Sequence, residues 1–211
     1  MKDYPAIGSI ELGGRKVLCR FDFNVPVKNG KVEDDNRLQA VLPTIRYLIE
    51  NDSKIIMLSH LGRPGGERKE VFSLKPVAER LSELLGTEVD FINRTIGEEV
   101  NKRVNQLKRK ELLLLENTRF QSGEKANDES FSKQLAELAD VYINDAFGTA
   151  HRKHASTYGV AFFMKEKAAG LLMEKEIRNL SILLDAPENP YTVILGGAKL
   201  ETKIPVIKNL A

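Results

Sequence analysis

The sequence predicts a doubly wound, mostly parallel α/β sheet with helices on both faces, a Rossmann-like three-layer sandwich. Three observations carry that expectation. Short apolar runs rich in Val, Ile and Leu recur without alternation, as in strands covered on both faces. Between them lie segments whose apolar residues repeat with helical spacing. Because the two kinds of segment alternate along the chain, right-handed crossovers must place helices on both sides of one sheet.

The first run, residues 16–21, reads as a strand that buries Cys19, the single cysteine, as a small inert thiol with no partner for a disulfide. Arg37 then opens a helix whose core stripe is Leu38, Val41, Leu42, Ile45, Leu48 and Ile49. Residues 54–58 form the second strand, and Val77, Leu81, Leu84 and Leu85 form a second helical stripe behind a Ser73 cap. Strands follow at 89–92 and 112–115. Phe131, Leu135, Leu138 and Ala139 make a third stripe, and 141–143 the next strand. After residue 165 the character changes. Leu172, Ile177, Leu180 and Leu184 share a helical face that should stop near Asp185-Ala186-Pro187, and Asn189-Pro190 leads into a fresh strand at 192–195. Gly196-Gly197-Ala198-Lys199 then opens one more helix, so the segment near Ala211 is expected either to join the first sheet or to begin a further domain.

Composition narrows the function. At 42% hydrophobic and 29% charged residues the chain is neither disordered nor fibrous. No apolar run approaches the roughly 20 residues of a membrane span, and Met1-Lys2-Asp3-Tyr4-Pro5 lacks the apolar stretch of a signal peptide, so a cytoplasmic protein with no membrane partner is expected. Basic and acidic residues number 32 and 30, a net charge of +2, which is too even for a protein that works by neutralising nucleic-acid phosphates. The three histidines, His60, His151 and His154, lack metal-ligand spacing, and no metal site is expected.

Ligands of an open parallel sheet bind beyond the carboxyl ends of its strands, and the residues following the apolar runs are strongly biased. They read Arg20-Phe21-Asp22-Phe23-Asn24-Val25-Pro26, Ser59-His60-Leu61-Gly62-Arg63-Pro64, Glu116-Asn117-Thr118-Arg119-Phe120 and Asn144-Asp145-Ala146-Phe147-Gly148, with His151-Arg152-Lys153-His154 just beyond. Arg20, Arg37, Arg63, Arg119, Arg152 and His60 would converge on one rim as an anion site, where guanidinium forks grip phosphate or carboxylate while Asp22 and Asn24 bind a hydroxyl. Any one of these arginines alone would read as a solvated surface charge, His60 alone as a loop brace, and Asp22 equally well as a turn cap. Gly196, Gly197 and Ala198, with Lys199 and Lys203 one helical turn apart, can cradle phosphate, although neither G-x-x-x-x-G-K-[ST] nor G-x-G-x-x-G is present and a plain turn reads as well.

These motifs, in this order, resemble phosphoglycerate kinase over essentially the whole chain. The resemblance implies reversible phosphoryl transfer between 1,3-bisphosphoglycerate and ADP, giving 3-phosphoglycerate and ATP in glycolysis, with Mg²⁺ accompanying the nucleotide and a monomeric complete enzyme. It implies that Asp22 and Asn24 bind the glycerate, that His60, Arg63, Arg119 and Arg152 hold the non-transferred phosphate with Arg20 behind them, and that Arg37 faces the moving phosphoryl group. Phe23, Leu61 and Gly62, inside the matched motifs, count with the substrate-binding positions. Gly196, Gly197, Ala198, Lys199 and Lys203 fall on the nucleotide side, and Arg37, Lys199 and Lys203 would be catalytic.

On this likeness residues 1–168 form the phosphoglycerate-binding domain, 169–187 the interdomain helix, and 188–211 the start of a truncated nucleotide-binding domain. The expectation is therefore binding without turnover by the isolated chain. The alternative is a stand-alone phospho-anion-binding or sensing protein without kinase activity.

Overall fold

Strand β1 (Lys16–Arg20) leads through a two-stranded hairpin, β2 (Val27–Lys28) and β3 (Lys31–Val32), into helix α1 (Asn36–Glu50) and strand β4 (Lys54–Leu58). Helix α2 (Lys75–Leu85), β5 (Val89–Ile92), α3 (Glu98–Gln106) and β6 (Leu112–Leu115) follow. Then come α4 (Ser122–Ala126), α5 (Glu129–Ala136), β7 (Val141–Asn144), a π-helical turn at Ala155–Gly159, α6 (Val160–Phe163), β8 (Glu166–Ala169) and α7 (Leu171–Asp185). This computed structural model describes residues 4–185 together with Thr192, Ile194 and Ile204. The glycines and lysines expected on the nucleotide side lie outside the described residues, as does most of the strand expected at 192–195.

One sheet runs in the order β5-β6-β4-β1-β7-β8, with every neighbouring pair parallel. The chain works outward from β1 on one side through β4, β5 and β6 and returns on the other through β7 and β8. The order therefore reverses at β1, and the crevice such a reversal creates lies at the carboxyl ends of β1, β4 and β7.

Strand alternation explains the three layers. Val17, Cys19, Ile55, Met57, Leu112, Leu114, Val141 and Ile143 point to one face, where they pack with Leu38, Val41, Ile45 and Leu48 of α1 and Val77, Ala78 and Leu81 of α2. Leu18, Ile56, Leu58, Leu113, Leu115 and Tyr142 point to the other, against Val100 and Val104 of α3, Phe131 and Leu135 of α5, and Val160 of α6. Both faces of the central strands are thus dry, which is why they read as unbroken apolar runs.

Some boundaries differ from the expectation. The first strand ends at Arg20, because the Phe21 ring turns into the core and stacks on Phe23 at 5.3 Å. The strand expected at 141–143 extends to Asn144. Leu138 and Ala139 belong to the turn after α5, although Leu138 is buried there. Leu74 rather than Ser73 occupies the N-cap position of α2, although Ser73 Oγ accepts the N–H of Lys75, the first helical residue (3.3 Å), and the buried Glu116 carboxylate accepts the Leu74 N–H (2.9 Å) and the Ser73 hydroxyl (2.8 Å).

Two compact units divide the chain, one spanning Lys2–Glu174 and the other beginning at Lys175. The first reaches past 168 because the start of α7 is tied to it. Gly170 N–H donates to the Asn144 carbonyl (2.9 Å), Leu171 N–H to Thr44 Oγ1 (3.2 Å) and Met173 N–H to Asp145 Oδ1 (2.9 Å), while Glu174 Oε1 accepts from Ile7 N–H (3.1 Å).

The π-helical turn sits so close to α5 that Gly159 has no room for a side chain. A Cβ there would overlap Ser132 Oγ and come within 2.8 Å of Asn127 Oδ1. The backbone is right-handed helical, so the constraint is purely steric. Gly159→Ala is expected to destabilise the fold by about 1–3 kcal/mol, the usual range for overpacking, read as a lower urea midpoint with an unchanged slope.

Candidate functional site

The carboxyl ends of β1, β4, β6 and β7 open into loops that are bonded to one another before any ligand is considered. Phe23 N–H donates to Ser59 Oγ (2.8 Å), Thr118 N–H to the Ser59 carbonyl (3.0 Å), and Gly62 N–H to Asn24 Oδ1 (2.9 Å). Asn117 ties the loops after β4 and β6 together by donating through Nδ2 to the Leu61 and Phe72 carbonyls (2.7 and 2.9 Å), while its Oδ1 accepts Arg119 N–H (3.0 Å). At Gly62 the chain turns with φ 60°, and a Cβ would run into the Phe72 ring, so only glycine lets this loop pass.

Into this frame the rim brings Arg63, Arg119 and Arg152, which line a cavity of about 390 Å³ with Gly65, Lys125 and His154. Elsewhere in the molecule arginines meet carboxylates, as Arg15 does with Glu166 (2.7 Å), Arg80 with Asp35 (2.6 Å) and Arg103 with Asp90 (2.5 Å). Among the described residues, no carboxylate pairs with Arg63, Arg119, Lys125 or Arg152. The buried Nε–H of Arg119 finds no acceptor, although its Nη1 donates to the Gly62 carbonyl (2.7 Å). Burial, with Arg152 and Arg20 nearby, pulls the Arg119 guanidinium below the ordinary arginine value. Four cations around one cavity without a neutralising anion repel one another, and a bound anion is what relieves the repulsion.

Arg20, which is not part of the cavity lining, is almost wholly buried, at 1% exposure. Its Nε donates to Ser156 Oγ (2.9 Å), Nη1 to the Phe21 carbonyl, and Nη2 to His60 Nδ1 (3.0 Å). Burial first, and then the fields of Arg20, Arg119, Arg152 and Arg37, push the His60 imidazole down to about 2, so the ring is neutral. Asp22 receives Arg37 Nη1 at 2.5 Å and keeps its other oxygen on Asn24 N–H (3.3 Å).

Of the expected positions, the structure places Arg63, Arg119 and Arg152 on the cavity, and Arg20 and His60 in contact with each other but not on its lining. Arg37 is held by Asp22, and Asn24 by the Gly62 backbone. The Phe23 and Leu61 side chains are in the core, so only their backbone faces the loops. Lys125 and His154 line the cavity without having been singled out from the sequence. Lys125 follows no strand, so the strand-end signal could not reach it; His154 lay in a quoted segment but carried no spacing signal of its own. Cys19 is buried, with its thiol pushed well up by desolvation, as the strand reading expects. Among the described residues no group of three His, Cys, Asp or Glu side chains could hold a metal ion, and no helix is long and apolar enough to cross a membrane.

The phosphoglycerate kinase family model matches residues 7–211. The chain belongs to the phosphoglycerate kinase family. It is 57% identical over 204 residues to the phosphoglycerate kinase of Thermosipho africanus, covering 97% of this chain and 50% of that protein. It is 54% identical over 200 residues to that of Dictyoglomus turgidum, covering 95% and 50%. The solved phosphoglycerate kinase of Coxiella burnetii superposes with a TM-score of 0.88 at 39% identity, over 99% of this chain and 52% of that one. That of Pyrococcus horikoshii gives 0.88 at 36% identity, over 97% and 52%. The chain therefore spans about half the length of these phosphoglycerate kinases.

The neutral His60 ring has a consequence for stability. Its proton affinity in the fold is below the unfolded value of 6.5, so the stability tied to the neutral ring is whole above pH 6.5 and is lost as pH falls towards about 2. The loss approaches about 1.4 kcal/mol for each pH unit inside that window. His60→Gln, which cannot titrate, is expected to lose less stability than the unaltered chain between pH 6.5 and 4.5; parallel pH profiles of the urea midpoint would contradict the assignment.

Proposed function

We propose that this chain holds 3-phosphoglycerate, or its acyl phosphate 1,3-bisphosphoglycerate, on the rim and supplies the phosphoglycerate half of a reversible phosphoryl transfer with ADP and ATP. The carrying observation is the set of cations without a carboxylate partner among the described residues, Arg63, Arg119, Lys125 and Arg152, around one cavity lined by segments that follow β4, β6 and β7. A phosphate monoester brings about −1.5 to −2 charges at neutral pH and three acceptor oxygens, which suits a cluster that needs both. Family membership supports the choice of this acid over other anions.

Asp22 and Asn24 stand at the mouth of the β1 loop, where a carboxylate and an amide can engage the hydroxyl of the glycerate. Arg37 is half exposed and bonded to Asp22, a geometry from which the guanidinium can turn to a phosphoryl group. Phosphoryl transfer leaves a protein little covalent work, so positioning the acceptor carboxylate and offsetting charge are the contributions these residues make.

Calorimetric titration with 3-phosphoglycerate tests the proposal. Arg119→Ala is expected to weaken binding by about 1.5–3 kcal/mol, the range for hydrogen bonds to charged groups, and Arg63→Ala to weaken it in the same direction. Arg152→Lys should also lose affinity, because an ammonium cannot reproduce a guanidinium fork. Equal affinities across the unaltered chain and these variants would refute the shared site.

A further inference from the structure

Glu124 and Ser156 do not line the cavity, although Glu124 Oε1 lies 3.9 Å from Nδ1 of His154, which does. Glu124 is wholly buried, and both of its oxygens meet Ser156: Oε1 accepts the hydroxyl at 2.6 Å and Oε2 the backbone N–H at 3.0 Å. Ser156 Oγ also takes Arg20 Nε–H at 2.9 Å, and Arg20 Nη2 reaches His60 Nδ1 at 3.0 Å.

The direction of each hydrogen bond in this series is forced. A guanidinium has donors only, so Ser156 Oγ must accept from it and has one proton left to give, which goes to Glu124. By the same rule His60 Nδ1 must present a lone pair to Arg20. Asp22 Oδ1 stands 3.9 Å from that nitrogen, too far to compete. A neutral imidazole whose Nδ1 accepts carries its proton on Nε2.

We propose that Glu124 and Ser156 are positioning residues of the site: acting through Arg20, they fix His60 as the tautomer with its proton on Nε2. The ring is thereby kept as a hydrogen-bond donor among arginines, where an acceptor facing an oxyanion would repel it. The carboxylate at the far end also offsets the buried Arg20 charge across one hydroxyl, so the guanidinium stays in register without a carboxylate beside it to take its Nη protons. The part of this inference that concerns substrate rests on the proposed function; the part that concerns the tautomer does not.

Nitrogen-15 NMR of the imidazole in the labelled 211-residue chain, without ligand, reads the tautomer directly. The unaltered chain is expected to show an unprotonated Nδ1 and a protonated Nε2. Ser156→Ala and Glu124→Gln are expected to give averaged signals of both tautomers and to bind 3-phosphoglycerate roughly tenfold more weakly, the scale of one lost hydrogen bond to a charged group. Ser156→Thr, which keeps the hydroxyl, should retain the original ring signals. A proton on Nδ1 in the unaltered chain overturns the proposal, and so do unaltered ring signals in Ser156→Ala. Failure of the unaltered chain to bind the acid would fall on the proposed function, with the ring signals still deciding the tautomer.

Discussion

The structure depends on the burial of one permanently charged side chain. Arg20 is the last residue of a central strand and cannot shed its proton, so each of its three nitrogens needs a partner inside the protein. The answers come from a backbone carbonyl, a hydroxyl and an imidazole rather than from a carboxylate in direct contact. That choice recruits three separate pieces of chain: the loop after β4 that carries His60, the π-helical turn that carries Ser156, and α4, which carries Glu124. Three of the segments around the cavity are thus tied, directly or through Ser156, to a single guanidinium.

Its neighbours carry the corresponding cost. Among the described residues no carboxylate pairs with Arg63, Arg119, Lys125 or Arg152, which crowd one cavity, and His60 remains uncharged. A fold selected for stability alone would pair such charges, as this one does at Arg15, Arg80 and Arg103. The difference between the paired and unpaired arginines singles out the candidate site more sharply than any local motif.

Much of this was legible in the sequence, because dry strands must be apolar on both faces. Residues 54–58, 89–92 and 112–115 emerge as strands with the expected bounds. Elements with little apolar content were not legible. Helix α3 shows only Val100 and Val104 to the core, and β8, an edge strand reading Glu-Lys-Ala-Ala, has the composition of a helix. The hairpin of β2 and β3 is two residues a side and packs partly exposed. At the site, arginines that directly follow strands could be gathered by position alone, whereas Lys125 and Glu124 come from α4, a five-residue helix with no periodicity to detect. Ser156 is a small residue in a rare helical form, and nothing in its neighbourhood signals that its hydroxyl spans a buried carboxylate and a buried guanidinium.

The start of α7 gives the sheet a mechanical property. Its first backbone donors are taken by β7, by Thr44 of α1 and by Asp145, and its Glu174 holds the backbone of Ile7. In engineering terms residues 170–174 are a pinned joint, fastened to three separate parts of their own unit. A displacement of Gly170 or Met173 would pull on Asn144 and Asp145, and hence on the strand end at Arg20, whose carbonyl accepts the Asp145 N–H at 2.9 Å.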